Sequence, residues 1–410
     1  MLNNHSNAFE HASCVLNAIL QKLQKLSKPQ FKFLSTLFPL WWSISGRYNF
    51  FQMSRYGNYH EQSYRLWFEK KMDFAQFNTA LIQQRGSGKY IVAFDPSYIS
   101  KSGKHTPGIS IFWSGKDQCA KKGLEIGVLS VVDVVAGTAM SLEAKQTPSS
   151  AVLKAAKKTL VDHYAEYIIS RASSIKQFSK YLVADGYFAK KDFIQVVMGK
   201  GGLHVITKLR DDANLRYLYN GPQKPGKGRK KIHDGKVELK KIDKRRITLV
   251  WQDDEYAYYT AIVHSITLKM KVRIIYIEDK KTKKYAVLAS TDTALKAGDI
   301  VQYYRLRFQI EFLIRDAKQH TGLEDCQARS ENKLYFHFNV ALSSVSLAKA
   351  VFYLSVPKQK REAFSMRNVK LLYHNKLIAD TIFSNLDIDL SCKKIKRLYN
   401  ECLYTGTLAA

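Results

Sequence analysis

The chain has 410 residues, with 65 Lys and Arg against 35 Asp and Glu, a net charge of +30 and 46% hydrophobic residues. That length and apolar content support two or three domains with buried cores and exclude general disorder. The charge calls for a polyanionic partner, and nucleic acid is the simplest one, because the excess is spread along the chain and not gathered on the single amphipathic helix a membrane surface would hold.

Residues 1–88 read as a helical DNA-binding domain. The start, Met1-Leu-Asn-Asn-His-Ser-Asn, carries no basic segment followed by an apolar stretch and cleavage site, so no secretory signal is read there. Ala12 to Leu26 forms an amphipathic segment, and Lys28-Pro29 breaks before the next. Phe31 to Phe51 is the most membrane-like stretch, but Lys32, Pro39, Gly46 and Arg47 interrupt it and it reads as buried helices. After a break at Gly57-Asn58, Glu61 to Lys71 and Phe74 to Gln83 suggest a helix-turn-helix that lays Arg65, Lys70 or Lys71 on DNA. Packing of Tyr64, Trp67 and Phe68 into a small bundle is the plainer reading. The five cysteines, Cys14, Cys119, Cys326, Cys392 and Cys402, have no metal-ligand spacing and fit a reduced, cytoplasmic chain, which a DNA partner would associate with the nucleoid.

Residues 89–210 open with Tyr90-Ile-Val-Ala-Phe-Asp95, an apolar strand that places Asp95 at its end before Pro96. Thr106 to Trp113 and Leu124 to Leu142 are rich in β-branched residues, and Pro148-Ser149-Ser150 starts a helix over Ala151 to Ser170. Tyr181-Leu-Val-Ala-Asp185 repeats the first design, with Gly186-Tyr187-Phe188 as the turn, a helix over Ala189 to Met198 and a strand over Leu203 to Leu209. Alone, each Asp reads as a turn former or helix cap. Two neighbouring strands that both end in carboxylates are the start of a metal site.

Residues 211–298 read as a β-rich insertion. It begins with the mobile cationic loop Pro222-Gln-Lys-Pro-Gly-Lys-Gly-Arg-Lys-Lys231, in which Lys230 and Lys231 are candidate DNA contacts, and Lys240-Lys241 and Lys244-Arg245-Arg246 follow. Thr248 to Trp251, Tyr256 to Ile266, Lys271 to Ile277 and Tyr285 to Ser290 have strand character. Trp251 is a candidate for stacking on an unpaired base, against the reading that it packs in the core; Tyr256, Tyr258 and Tyr259 compete for the same role.

Residues 299–356 return to a core. Val301 to Lys318 reads as one helix: at about 100° per residue, Arg307, Glu311, Arg315 and Lys318 fall within roughly 60° of Tyr304, while Leu306, Ile310, Leu313, Ile314 and Ala317 form the apolar side. Three cations thus surround one carboxylate on a face suited to phosphates and metal, where simple ion pairing is the competing reading. Gly322-Leu323, Arg329 and an apolar helix over Glu331 to Leu354 follow, with His337 read as structural. Residues 357–410 form a helical tail too short for an independent domain, in which Lys393-Lys394-Ile-Lys396-Arg397 could touch DNA or a second subunit.

The spacing Tyr304-x2-Arg307-x3-Glu311-x6-Lys318 resembles the signature of DDE transposases of insertion sequence family four, and Asp95 and the Asp-Gly-aromatic motif at Asp185 match that family's two upstream carboxylates. The resemblance covers roughly residues 90–350. It implies an α/β, ribonuclease H-like mixed-sheet core interrupted by the β-rich insertion, with the helical N-terminal domain in front. It further implies that Asp95, Asp185 and Glu311 bind two Mg²⁺ ions, with Mn²⁺ substituting, and that Tyr304, Arg307 and Lys318 grip DNA, to which the shared helix face adds Arg315 as a candidate contact. The implied partners are transposon terminal inverted repeats, target DNA and a second copy of the chain in a synaptic homodimer, with no membrane. The rival readings are a ribonuclease H-like structure-selective nuclease without strand transfer and a catalytically silent DNA-binding regulator.

Overall fold

The computed structural model describes residues 6–223, 225–226 and 228–408. Lys224 and Lys227 of the cationic loop, and the first five residues of the segment without a signal, lie outside the described residues. Along the chain come α1 (Ser6–Gln21), α2 (Lys28–Ser43), α3 (Phe50–Tyr56), α4 (Glu61–Glu69), α5 (Phe74–Arg85), β1 (Tyr90–Ile99), β2 (Ser110–Ser114), β3 (Cys119–Asp133) and β4 (Thr138–Gln146). Then follow α6 (Ser150–Ala155), α7 (Leu160–Ser170), α8 (Ala172–Lys176), β5 (Tyr181–Ala184), α9 (Lys191–Gly199), β6 (His204–Leu209), β7 (Leu215–Leu218) and β8 (His233–Lys236). The rest is β9 (Thr248–Gln252), β10 (Tyr256–Ser265), β11 (Met270–Asp279), β12 (Tyr285–Ser290), α10 (Ala297–Leu306), α11 (Gln309–His320), α12 (Glu331–Lys349), α13 (Met366–Asn385) and α14 (Lys393–Leu403). This is a mixed α/β fold consistent with the ribonuclease H-like expectation, and no described helix is long and apolar enough to cross a membrane.

The chain divides into two compact units. One takes in the chain up to Lys89, Pro96–Ser150 and the chain from Ile310; the other takes in Tyr90–Asp95 and Ala151–Gln309.

In the first unit, Ser27 caps α2 through a reciprocal capping box with Gln30, and Pro29 sits in the first turn, where its missing N–H costs nothing. Most of the apolar side chains in the Phe31 to Phe51 stretch are buried, as expected: Phe33, Leu34, Leu37, Phe38, Trp41 and Trp42 are all covered, while Arg47 and Phe51 at its end are exposed. Burying an indole N–H requires an acceptor. Trp41 Nε1 donates to the Thr321 carbonyl at 3.0 Å, and Trp42 Nε1 to that of Ser344 at 3.2 Å, which fixes α2 against the chain on both sides of the start of α12. Strands β2, β3 and β4 pair antiparallel in sequence order. The β3–β4 turn is organised by buried Asp133, whose carboxylate accepts the N–H of Val135 and Ala136 at 3.0 and 2.9 Å and that of Ser87 at 2.7 Å. Helix α12 completes β4 with its own polar side chains: Asn339 exchanges two 2.8 Å bonds with the Ala144 backbone, and Ser346 Oγ accepts from Ser141 N at 2.8 Å. Strand groups that lack a strand neighbour are thereby satisfied in a dry interior.

Helix α5 does not have the free face of a helix-turn-helix partner. Phe74, Ala75, Phe77, Ala80, Leu81 and Ile82 are buried, and buried Asn78 donates to the Leu142 carbonyl and to Ser343 Oγ at 3.0 Å each.

In the second unit, β1, β5 and β6 run parallel, with Val92, Ala93 and Phe94 opposite Leu182, Val183 and Ala184, and Tyr181 to Val183 opposite His204 to Ile206. Their unbroken apolar runs follow from burial on both faces. Phe94 packs edge-on against Phe188 (5.4 Å) and tilted against Tyr164 (5.4 Å). Strand β12 adds antiparallel to β6, and β11 and β10 continue beyond it; β10 carries β7 and β9 along its far edge, and β8 pairs with β7. All four strands expected between 248 and 290 are present, while β7 and β8 were not expected.

Other expectations need correction. The helix over Ala151 to Ser170 is two, because Lys157 adopts a left-handed φ of 54° and Thr159 starts a new capping box with Asp162. The strand expected from Thr106 begins only at Ser110, after Gly108 at φ 77°. The Leu124 to Leu142 region is a hairpin of β3 and β4.

Candidate active site

Asp95 is not the last residue of β1, which continues to Ile99; it is the first residue past the parallel ladder, whose final pair is Phe94 with Ala184. Asp185 follows Ala184 in the same way. Neighbouring strands lie about 4.8 Å apart. Matched register therefore brings two aspartates side by side where the ladder opens.

The turn after β5 is shaped to hold Asp185 there. Its Oδ1 accepts the Gly186 N–H at 2.6 Å, and its carbonyl accepts Thr207 Oγ1 of β6 at 2.9 Å. A Cβ on residue 186 would lie 3.2 Å from the Lys208 carbonyl, so glycine lets the turn press against β6. Asp185 is exposed and Asp95 half-buried. Hard carboxylate oxygens are the donors Mg²⁺ accepts, since that ion takes one or two carboxylates and completes its shell with water and phosphate oxygens. The donor chemistry fits. Among the described residues, no group of three or more His, Cys, Asp or Glu side chains stands assembled to hold a metal ion.

Glu311 lies in the first unit, half-buried in the first turn of α11. The single helix expected over Val301 to Lys318 is broken: α10 ends at Leu306 and α11 begins at Gln309. Arg307 N–H is shared between the Tyr303 and Tyr304 carbonyls at 3.2 Å each, and its side chain turns inward. Only 5% of Arg307 is exposed, with the guanidinium 4.7 Å from the Phe308 ring centre and 5.7 Å from that of Tyr304. Within α11, Glu311, Arg315 and Lys318 are four and seven residues apart, and the expected apolar side of Ile310, Leu313, Ile314 and Ala317 is buried.

The remaining candidates are distributed. Tyr304 is half-buried near the end of α10. Arg315 is largely exposed, with a long 3.6 Å approach to Asp316 and its guanidinium over Phe312. Lys318 Nζ donates to the Tyr98 carbonyl at 2.6 Å and pairs with Glu324 at 3.0 Å. Trp251 stacks on Tyr258, centroids 4.3 Å apart and planes 16° apart, so one face of the indole is already covered. Tyr258 itself accepts Arg305 Nη2 at 2.6 Å. Lys230 is exposed, whereas Lys231 pairs with Asp234 at 3.0 Å and lies over Tyr219. Arg65 pairs with Glu61 at 2.5 Å and lies over Phe50. His337 is structural, as expected: its Nε2 lies 2.7 Å from the Gly322 carbonyl, and burial pushes its pKa down to about 4.

Two residues beside Asp185 escaped the sequence reading. Tyr187 is exposed, and Lys190 Nζ sits 3.5 Å from its ring centre, which puts a cation and an aromatic edge within five residues of the aspartate. An aromatic and a lysine after the Asp-Gly turn were the available signal.

The family model described as transposase DDE domain matches residues 87–346, 260 of the 410 residues, and the span includes Asp95, Asp185 and Glu311. A search of curated proteins returned no match. With well over half of its length within that model, the chain belongs to the transposase DDE domain family.

Proposed function

We propose that the protein is a cut-and-paste transposase of the insertion sequence family four type, which cleaves DNA at transposon ends and joins the freed ends to target DNA. The observation that supports this reading is the matched register of β1 and β5, after whose last pair, Phe94 with Ala184, Asp95 and Asp185 each follow directly. Glu311 is the third carboxylate, and the three would hold two Mg²⁺ ions, or Mn²⁺ in their place. Divalent ions so held supply Lewis-acid stabilisation of charge on the attacking and departing oxygens of a phosphodiester.

The protein's own groups position the DNA. In each step a water or a DNA 3′ hydroxyl oxygen forms a bond to phosphorus while the bond to the departing 3′ oxygen breaks, and the proton of the attacking group passes to solvent. Lys190 and Tyr187 flank Asp185 and suit a phosphate beside it. Arg315 offers an exposed guanidinium on the same helix as Glu311. Arg307 and Lys318 act by holding the ends of α10 and α11 in place, and Tyr304 presents its ring at the join. Double-stranded terminal repeats, target DNA and a second copy in a synaptic homodimer are the partners of this reading.

The test is incubation of purified protein with element-end DNA and Mg²⁺, wild type against Glu311→Gln. Nicking and joined products in the wild type alone support the proposal. Nicking without any joined product would assign the chain to structure-selective nucleases, and end binding without nicking would make it a silent regulator.

A further inference from the structure

The first unit contains an open cleft of about 1410 Å³, lined by α3 and α4, by residues 100–106 that follow β1, and by residues 324–330 that follow α11. Small-molecule pockets run to roughly 1,000 Å³, so this one has the dimensions for a polymer segment. Six cations line it: Arg47, Arg65, Lys101, Lys122, Arg329 and Lys333. The three acids of the lining are already engaged. Glu61 holds Arg65 at 2.5 Å, Glu324 holds Lys318 at 3.0 Å, and Asp325 accepts the Tyr48 N–H at 3.0 Å. Lys333 is held by Glu69 at 3.2 Å.

Four cations are left without a carboxylate among the described residues. Arg47, Lys122 and Arg329 are exposed, and Lys101 reaches the Cys326 carbonyl. Burial depresses the pKa of Lys101, and the charge of Arg329 adds to that in a smaller measure. The same cleft presents Phe51, 60% exposed on α3. Positive charge that tracks a backbone, joined to an exposed aromatic face, is the combination that holds single-stranded nucleic acid.

We propose that this cleft binds a single-stranded segment of DNA, with phosphates on Arg47, Lys101, Lys122 and Arg329 and a base against Phe51. It rests on the transposase reading for the identity of the polyanion, since a strand cut at an element end has a free end that can leave the duplex. A duplex would offer the phosphates but no base face to Phe51.

The experiment is fluorescence anisotropy of the full chain, without divalent metal, on a forked oligonucleotide with a single-stranded arm and on a blunt duplex, across a salt series. Three variants are compared with wild type: Arg47→Ala/Lys122→Ala/Arg329→Ala, its charge-keeping counterpart Arg47→Lys/Lys122→Arg/Arg329→Lys, and Phe51→Ala. All must melt at the wild-type temperature. The triple alanine variant is expected to bind the fork roughly ten-fold or more weakly and to lower the salt slope by about 2, near 0.7 per lost phosphate contact on a single strand. The charge-keeping variant should bind as wild type. Phe51→Ala should lose about five-fold or more on the fork and nothing on the duplex. Unchanged fork affinity and slope in the triple alanine variant would overturn the proposal, as would equal losses on fork and duplex in Phe51→Ala. Polyglutamate bound more tightly than the fork, and released by the same triple change, would assign the cleft to an acidic protein segment instead. Binding without metal is independent of Mg²⁺-dependent nicking, so the cleft and the transposase reading can fail separately.

Discussion

Lys318 Nζ donates to the Tyr98 main-chain carbonyl at 2.6 Å, which joins α11 to the far end of β1. Tyr98 is three residues past Asp95 in sequence, and Lys318 is seven past Glu311. A residue read from spacing alone as a phosphate grip is therefore employed inside the protein. Lys318→Met keeps the stem and removes the ammonium, and it is expected to lower stability by about 1–2 kcal/mol, the range for a charge-assisted bond at a partly exposed site. Urea midpoints measure this. An unchanged midpoint with reduced DNA binding would return Lys318 to the role of a DNA contact.

Arg307 and Arg315 should separate in the same assay. Arg307 is buried against Phe308 and Tyr304 at the break between α10 and α11, whereas Arg315 is largely exposed. Arg307→Ala removes packing and leaves a gap, for a loss of about 2–3 kcal/mol, while Arg315→Ala should stay within about 0.5 kcal/mol. On end DNA the order reverses, and Arg315→Ala weakens binding of a protein that is otherwise intact. Equal stability losses would show that the break does not depend on the buried guanidinium.

His337 makes the fold acid-sensitive. Burial lowers its pKa from an ordinary 6.5 to about 4, against the opposing effect of its bond to the Gly322 carbonyl. The unfolded chain takes up this proton first as pH falls. Stability contributed by the neutral imidazole is complete above pH 6.5 and is lost progressively down to about pH 4, by up to about 3 kcal/mol. His337→Gln should flatten that part of the profile. Urea midpoints at pH 7.5 and 5 that fall equally in both proteins would place the acid sensitivity elsewhere.

Trp251 sits directly opposite Tyr258 in the β9–β10 pairing, and the two rings stack. Trp251→Ala should cost about 1 kcal/mol, with most of it regained in Trp251→Phe. Thermal melting decides this. A variant that melts as wild type but no longer processes an end would favour a base-stacking role for the indole.

How far the chain could be read follows from which features are local. Strands β1 and β5 are legible because strands covered on both faces are unbroken apolar runs; β5 stops before Asp185-Gly186 as read, whereas β1 continues through Pro96 to Ile99. The strands between 248 and 290 are legible from their β-branched and aromatic content. The break at Arg307-Phe308 is not, because the apolar period runs on through Leu306, Ile310 and Leu313 without a Gly or Pro to mark it. Strand β8, His-Asp-Gly-Lys, has no strand propensity and exists through its pairing with β7. Asn78 makes α5 look amphipathic, yet its amide is buried against β4 and α12. At the site, the two aspartates and the strands that carry them are readable, while the use of Lys318 depends on Tyr98, far away in the chain.

The most direct measurement is the Mg²⁺-dependent nicking rate on end DNA for Asp95→Asn, Asp185→Asn and Glu311→Gln, each alongside its DNA affinity. The account predicts that all three lose nicking by about 10²-fold or more, on the scale of the loss of a main electrostatic contribution to catalysis, while binding the end DNA as tightly as wild type. Wild-type nicking by any one of the three would contradict it.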